Sequence, residues 1–244
     1  MRFGPYLAPG LLALACSPAL AGPPYTTDDP EPTATGHWEN RVFILGTQSP
    51  GDLAGQSGFD INYGVARNLQ LTLIAPLDFD HGAHTEVGLG NIQLSVKYEF
   101  LHQSDHGWLP DVAIFPQLNL PTQARGFGPG RLGAFLPIWA EKDFGPWSTF
   151  GGVGYDINPG PGARDYTFAG WAVTRQLGRR LNLGMEIYHE TPGTVGAKAL
   201  TAVAAGAVYR LTRHFAVMAS AGPGVQAARS AGEGVFYFAL QYTN

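Results

Sequence analysis

From Ile92 to Phe100 every second residue is apolar: Ile92, Leu94, Val96, Tyr98 and Phe100, with Gln93, Ser95, Lys97 and Glu99 between them. A β-strand sends successive side chains to opposite faces, so residues 88–101 (GLGNIQLSVKYEFL) form a strand with one apolar and one polar face. The same alternation recurs at Phe59/Ile61/Tyr63/Val65, Leu69/Leu71/Leu73 and Leu181/Leu183/Met185/Ile187. It returns at Val203/Ala205/Ala207/Tyr209 and Phe236/Phe238/Leu240/Tyr242. Turn signals separate these runs, and no long helical period occurs. The pattern predicts about twelve strands, near residues 37–46, 57–66, 68–77, 88–101, 110–120, 131–142, 146–157, 165–176, 180–190, 197–211, 213–222 and 233–243.

The connections alternate in length. Tight turns fall at Arg67-Asn68, Gly178-Arg179 and Thr212-Arg213-His214. Longer loops rich in Gly, Pro, Asp and His fall at 47–56, 78–87, 121–130, 158–164, 191–196 and 223–232, with a long 102–109 connection as the exception on the short-turn side. Most segments reach ten residues, and a tilted strand needs about 9–11 to cross lipid. Aromatic residues gather near strand ends, among them Trp38, Tyr98, Phe144, Trp147, Phe215 and Tyr242, as interfacial girdles require. The expected fold class is all-β, a transmembrane antiparallel up-and-down β-barrel of about twelve strands, whose apolar face meets lipid. A soluble lipocalin-type barrel is the rival that shorter strands would favour.

Composition agrees. Only 14% of the 244 residues are charged, against roughly 25% in soluble domains. Mean hydropathy is −0.04, as suits a barrel that is apolar on one face. A formal charge of −4 gives no basic stripe, so no nucleic-acid partner is expected. Residues 1–21 carry Arg2, a short apolar run and Ala19-Leu20-Ala21, the features of a secretory signal peptide. A lipoprotein signal ending at Cys16 is the alternative, but Ala13-Leu14-Ala15 lacks the large aliphatic expected before that cysteine. Cleavage after Ala21 removes the single cysteine, leaving no thiol or disulfide chemistry. Residues 22–36 (GPPYTTDDPEPTATG), with Pro23, Pro24, Pro30, Pro32, Asp28, Asp29 and Glu31, cannot be regular structure and are expected as an extended periplasmic lead-in. Residues 37–244 are then the barrel.

The residues that alternate with the apolar set should face the lumen: Asp60, Asn62, Gln93, Lys97, Glu99, Asp111, Gln117, Asn119, Arg131, Asp156, Glu186 and Arg210. They could line a polar permeation path for small solutes, or pair with one another and close the interior. The loop DFDHGAHTE collects Asp78, Asp80, His81, His84 and Glu86, and 102–106 collects His102, Asp105 and His106. Either could hold a divalent ion, but solvated loops carry the same residues, and no metal or cofactor is expected. A lipid-acting enzyme would need an activated Ser or His at the rim. His189 and Glu190 are adjacent on a strand and point apart, and Ser57 in GQSGF lacks the nucleophile elbow, so no catalytic residue is expected.

Residues 22–39 (GPPYTTDDPEPTATGHWE) resemble the opening of the outer-membrane protein family of the MetA pathway of phenol degradation. GLGNIQLSVKYEFL resembles that family's fourth-strand motif, with Asn91 where Asp is expected; Leu120-Pro121-Thr122 and the turn at 142–147 also fit. The resemblance implies a bacterial outer-membrane barrel, porin-like and transporter-like, for small apolar or aromatic molecules. The partners it implies are outer-membrane lipid, a small-molecule solute and the barrel-assembly machinery, which would read the aromatic-ended FALQYTN. The barrel is expected to be a monomer.

Overall fold

The computed structural model describes residues 24–82, 85–104, 107–124, 130–225 and 234–244. The expected signal peptide, residues 1–21, lies outside the described residues. The strands are β1 (Trp38–Ser49), β2 (Asp52–Ala66), β3 (Leu69–His81), β4 (Thr85–Leu89), β5 (Gln93–Leu101), β6 (Asp111–Ile114), β7 (Gln117–Asn119), β8 (Gly133–Phe144), β9 (Trp147–Ile157), β10 (Tyr166–Leu177), β11 (Leu181–Glu190), β12 (Leu200–Arg210), β13 (Phe215–Pro223) and β14 (Gly234–Thr243). Each pairs antiparallel with its neighbour in the sheet. The sheet closes where β1 meets β14, in register from Glu39↔Thr243 to Gln48↔Gly234. Two staves are split, β4/β5 and β6/β7, so fourteen strands make a twelve-stave barrel.

Closure sorts the side chains as the alternation predicts. On β5, Leu94, Val96, Tyr98 and Phe100 are 39–50% exposed, whereas Lys97 is 4% and Glu99 8%. Apolar groups facing outward at this density meet lipid rather than water. Aromatic pairs mark the short-turn rim: Trp38 against Tyr63 at 4.5 Å and Phe215 against Tyr242 at 5.3 Å. The Arg175 guanidinium lies 4.9 Å from the Trp147 ring, an arrangement suited to the polar–apolar boundary. The tight turns there use positive φ at Asn68 (64°) and Gly145 (63°).

Residues 88–101 are not one continuous strand. The ladder breaks at 90–92, where the Gly90 N–H donates to Pro76 O (3.0 Å) and the Ile92 N–H to Thr122 Oγ1 (2.8 Å). A Cβ on Gly90 would lie 2.6 Å from Asp78 Oδ1 and 2.8 Å from Pro76 Cγ, so a larger residue there would have to displace those side chains. Ile92 therefore leaves the exposed stripe and is half-buried. Segment 110–120 also divides, at Phe115-Pro116, because Pro116 has no N–H to offer the ladder. Conversely, the loops expected at 47–56 and 78–87 are mostly strand: Thr47 pairs with Ala54, and Asp80 with Glu86. Beyond the lipid belt a hairpin arm can be polar on both faces, so alternation does not mark it.

The lipid-facing assignment has a direct test. Val153, 56% exposed at mid-wall, should lose about 2–4 kcal/mol of folding free energy as Val153→Arg, whereas Tyr98→Arg near the rim should lose about 0–1. Reversible denaturant titrations in lipid vesicles measure both.

Candidate functional site

The segment expected as an extended periplasmic lead-in lies, from residue 24 onward, against inward side chains of the barrel. Proline rules out a helix, and the backbone groups of residues 24–36 cannot pair with a sheet of their own. They are taken up by inward side chains of the wall. Glu186 accepts the Thr26 and Thr27 N–H groups, both at 3.0 Å. Ser220 Oγ donates to Pro24 O at 2.5 Å. Gln70 Oε1 accepts from Thr33 N at 2.6 Å. The Lys97 ammonium donates to Asp29 O at 2.8 Å and to Asp28 Oδ1 at 3.3 Å, over the face of Phe115. Thr27 is fully buried, Asp29 5% exposed and Tyr25 7%. The segment is a plug.

The wall is shaped to receive it. A Cβ on Gly184 would stand 2.5 Å from the Tyr25 hydroxyl, and one on Gly206 2.8 Å from the Tyr25 ring. Both glycines lie on the inward face, in line with Glu186 and Val208. Glycine within a strand often marks such a close approach. Beside the plug, Arg41 is bound to Glu39, to Asp60 (2.8 Å) and to Gln241 (2.9 Å). Asn62 joins Gln70 and Thr72 at 2.8 and 2.6 Å.

The plug does not fill the lumen. A cavity of about 460 Å³ lies at the short-turn end, between the plug and Glu39, Lys97, Phe115, Gln117, Phe135 and Trp139. A smaller cavity of about 200 Å³, the waist, adjoins it and shares Thr26, Gln117, Phe135 and Trp139. That waist shares Asn119 and Asp156 with a third cavity of about 680 Å³, which reaches Arg131 and the residues near Asn158 and Thr194 at the loop end. The three form a file along the inner surface of β7, β8 and β9. Thr72 and Gln117 also line an apolar groove outside the wall, where the ladder is interrupted at Pro116.

The twelve residues singled out from the sequence divide among these features. Asp60 and Asn62 belong to the Arg41 and Gln70 clusters. Lys97 and Glu186 hold the plug. Gln93, Gln117, Asn119 and Asp156 line the waist. Glu99 and Asp111 meet His102 at the short-turn rim, where one oxygen or nitrogen of each lies within 4.8 Å of the others. Arg131 is exposed and reaches only the outermost cavity. Arg210 ends β12, half-buried, and lines none of the three. The loop cluster divides: Asp78 is buried, Asp80 and His81 are exposed, and His84 lies outside the described residues, as do Asp105 and His106.

The lumen is also less polar than the alternation predicts. Phe43, Trp139, Phe150, Phe168 and Tyr188 are all buried inside it. On β10, Tyr166 and Phe168 face in while Trp171 and Val173 face out, so both faces are apolar and a period of two cannot choose between them. Register does choose, since Phe168 pairs with Glu190 and Tyr166 with Asp156. His189 and Glu190 are split across the wall, with His189 on Thr201 (2.8 Å) and Glu190 at the waist.

Two predictions concern the plug. Lys97→Met leaves Asp28 and Asp29 beside an apolar group and should cost about 3–5 kcal/mol of seating, the scale of a broken buried ion pair. Faster proteolytic cleavage within residues 24–34 in folded protein checks it. Seating also depends on pH. Burial pushes the Asp29 carboxyl up to about 6, with Asp28 and Glu39 adding to the rise and Lys97 opposing it. Burial likewise pushes Glu31 up to about 7, with Asp29, Glu39 and Glu99 nearby. A carboxyl raised in the seated state favours seating at low pH, and that contribution is lost as pH climbs through the raised value. Cleavage of the segment should therefore quicken between about pH 5 and pH 8.

No protein-family model matches the chain, and no curated protein matches it by sequence. Solved structures share its architecture. An outer membrane channel from Pseudomonas putida F1 superposes with a TM-score of 0.64 at 14% identity, over 88% of this chain and 97% of that one. The NanC porin gives 0.52 at 11%, over 82% and 98%. The translocator domain of the autotransporter NalP from Neisseria meningitidis gives 0.52 at 10%, over 84% and 87%. At these identities the likeness is one of fold, and that fold is the closed antiparallel β-barrel of outer-membrane proteins.

Proposed function

We propose that the protein is a monomeric outer-membrane channel that passes small solutes between the N-terminal plug and the inner surface of β7–β9. The observation that carries this reading is the file of three cavities sharing lining residues from one end of the lumen to the other. The solutes are small molecules with an apolar or aromatic part. Phe115, Phe135, Trp139 and Phe168 along the file support that choice, as does the resemblance of residues 22–39 to outer-membrane proteins of phenol degradation. The seated plug supports a second reading, a barrel closed at rest.

Planar-bilayer conductance and liposome swelling separate the two readings. The whole mature chain should conduct weakly, and a chain lacking residues 24–34 should conduct several-fold more, because the deletion removes the main obstruction. A folded barrel that passes no ion or solute, with or without residues 24–34, would sink the channel reading.

A further inference from the structure

We propose that the waist of the lumen selects small organic cations, such as protonated amines carrying an aromatic or alkyl group. This rests on the channel reading and names the class of solute that its smallest cavity favours.

Strand register builds the waist as one band. Gln93 lies opposite Asn119, Phe135 opposite Asp156, Asp156 opposite Tyr166, and Phe168 opposite Glu190. These residues, with Trp139 and Thr26, enclose the 200 Å³ cavity. Two of them are carboxylates, and none is Lys or Arg. Among the described residues no ion pair involves Asp156 or Glu190. The lumen cations nearest the plug are already committed, Arg41 to Glu39 and Asp60, and Lys97 to Asp28 and Asp29. Tyr166 lies opposite Asp156 in the β9–β10 register, and a carboxylate has more acceptor sites than one hydroxyl can fill, so Asp156 and Glu190 both keep acceptor capacity.

The rest of the wall is divided between polar side chains, Thr26, Gln93, Gln117 and Asn119, and aromatic ones, Phe135, Trp139, Tyr166 and Phe168. Phe168 stacks on Tyr188 at 5.8 Å and meets Trp139 edge-on at 5.7 Å, and Phe135 lies edge-on to Phe168 at 6.3 Å. Trp139 is 2% exposed, and its Nε1 has no hydrogen-bond partner among the described residues. Aromatic faces attract a cation through the ring quadrupole, and carboxylates in a low-dielectric enclosure attract it further. The same carboxylates repel an anion, while a neutral solute meets only the aromatic faces and the hydrogen bonds of Gln93, Gln117 and Asn119, without the charge attraction. Arg131, at the outer cavity, is exposed and outside the waist, so it does not cancel this field.

The test uses three probes of nearly equal size: benzylammonium, benzyl alcohol and benzoate. In proteoliposomes of the whole mature chain, benzylammonium should enter roughly tenfold faster than benzoate, with benzyl alcohol between. In the double variant Asp156→Asn/Glu190→Gln that ratio should fall toward one. Glu190→Gln alone should lower it partway, which keeps the test available if the double variant folds poorly, as judged by heat-modifiable gel mobility. Equal entry of the three probes, or a preference that survives in both variants, overturns the proposal while leaving the channel reading intact. If no probe enters, the channel reading fails. Calorimetric titration of the detergent-purified barrel with benzylammonium then decides the waist: binding lost in the variants supports it, and no binding overturns it.

Discussion

Lipid offers no hydrogen bonds, so every backbone N–H and C=O in the wall must find a partner within the wall. For strands this is possible only if the last returns to the first, and the β1–β14 ladder is that return. The other features follow from closure. A closed sheet fixes which face of each strand is outside, and lipid makes that face apolar. It also encloses whatever the other face carries, in a space too narrow for bulk water. A carboxylate or ammonium there must be paired, hydrogen-bonded or neutralised.

The plug answers part of that demand. Apart from the bridge of Thr35 to Gly64, its backbone groups lie off the sheet, and Lys97, Glu186, Gln70 and Ser220 are buried polar groups in need of partners. Each satisfies the other. Glycines at 184 and 206 clear the space that Tyr25 occupies, so steric fit and polar pairing act on the same segment. The plug packs Tyr25 on Phe150 at the short-turn half of β9 and leaves space beside β7, β8 and the loop-side end of β9. There the inward residues change character, from paired charges to carboxylates among aromatic rings. The ladder is also irregular there, because Pro116 interrupts the wall beside the file of cavities.

Much of the wall was legible because lipid imposes a strict period of two. Leu94, Val96, Tyr98 and Phe100 announced their face from sequence alone, and strand ends were found within a few residues over most of the chain. Legibility failed where the period carried no information. β10 is apolar on both faces, so Phe168 and Tyr166 could not be told from Trp171 as lumen residues. The hairpin arms near Ser49 and His81 are polar on both faces and read as loops. At the break, Gly90 and Ile92 turn their N–H groups to Pro76 and Thr122, partners that no local pattern shows.

The sequence by itself determined which face meets lipid wherever polar and apolar residues alternate, because alternation is a local property and lipid tolerates few exceptions to it. It also determined that residues 22–36 form neither helix nor strand, since proline forbids both. It did not determine where that segment goes. Its partners lie 68 residues away at Lys97 and 159 away at Glu186, and only closure of the barrel brings them to one place. The waist has the same origin. Gln93, Asn119, Phe135, Asp156, Tyr166 and Glu190 sit on six neighbouring staves, and they form one band only because inter-strand register sets their heights. Register is a property of pairs of strands, so it was decided by the tertiary structure alone.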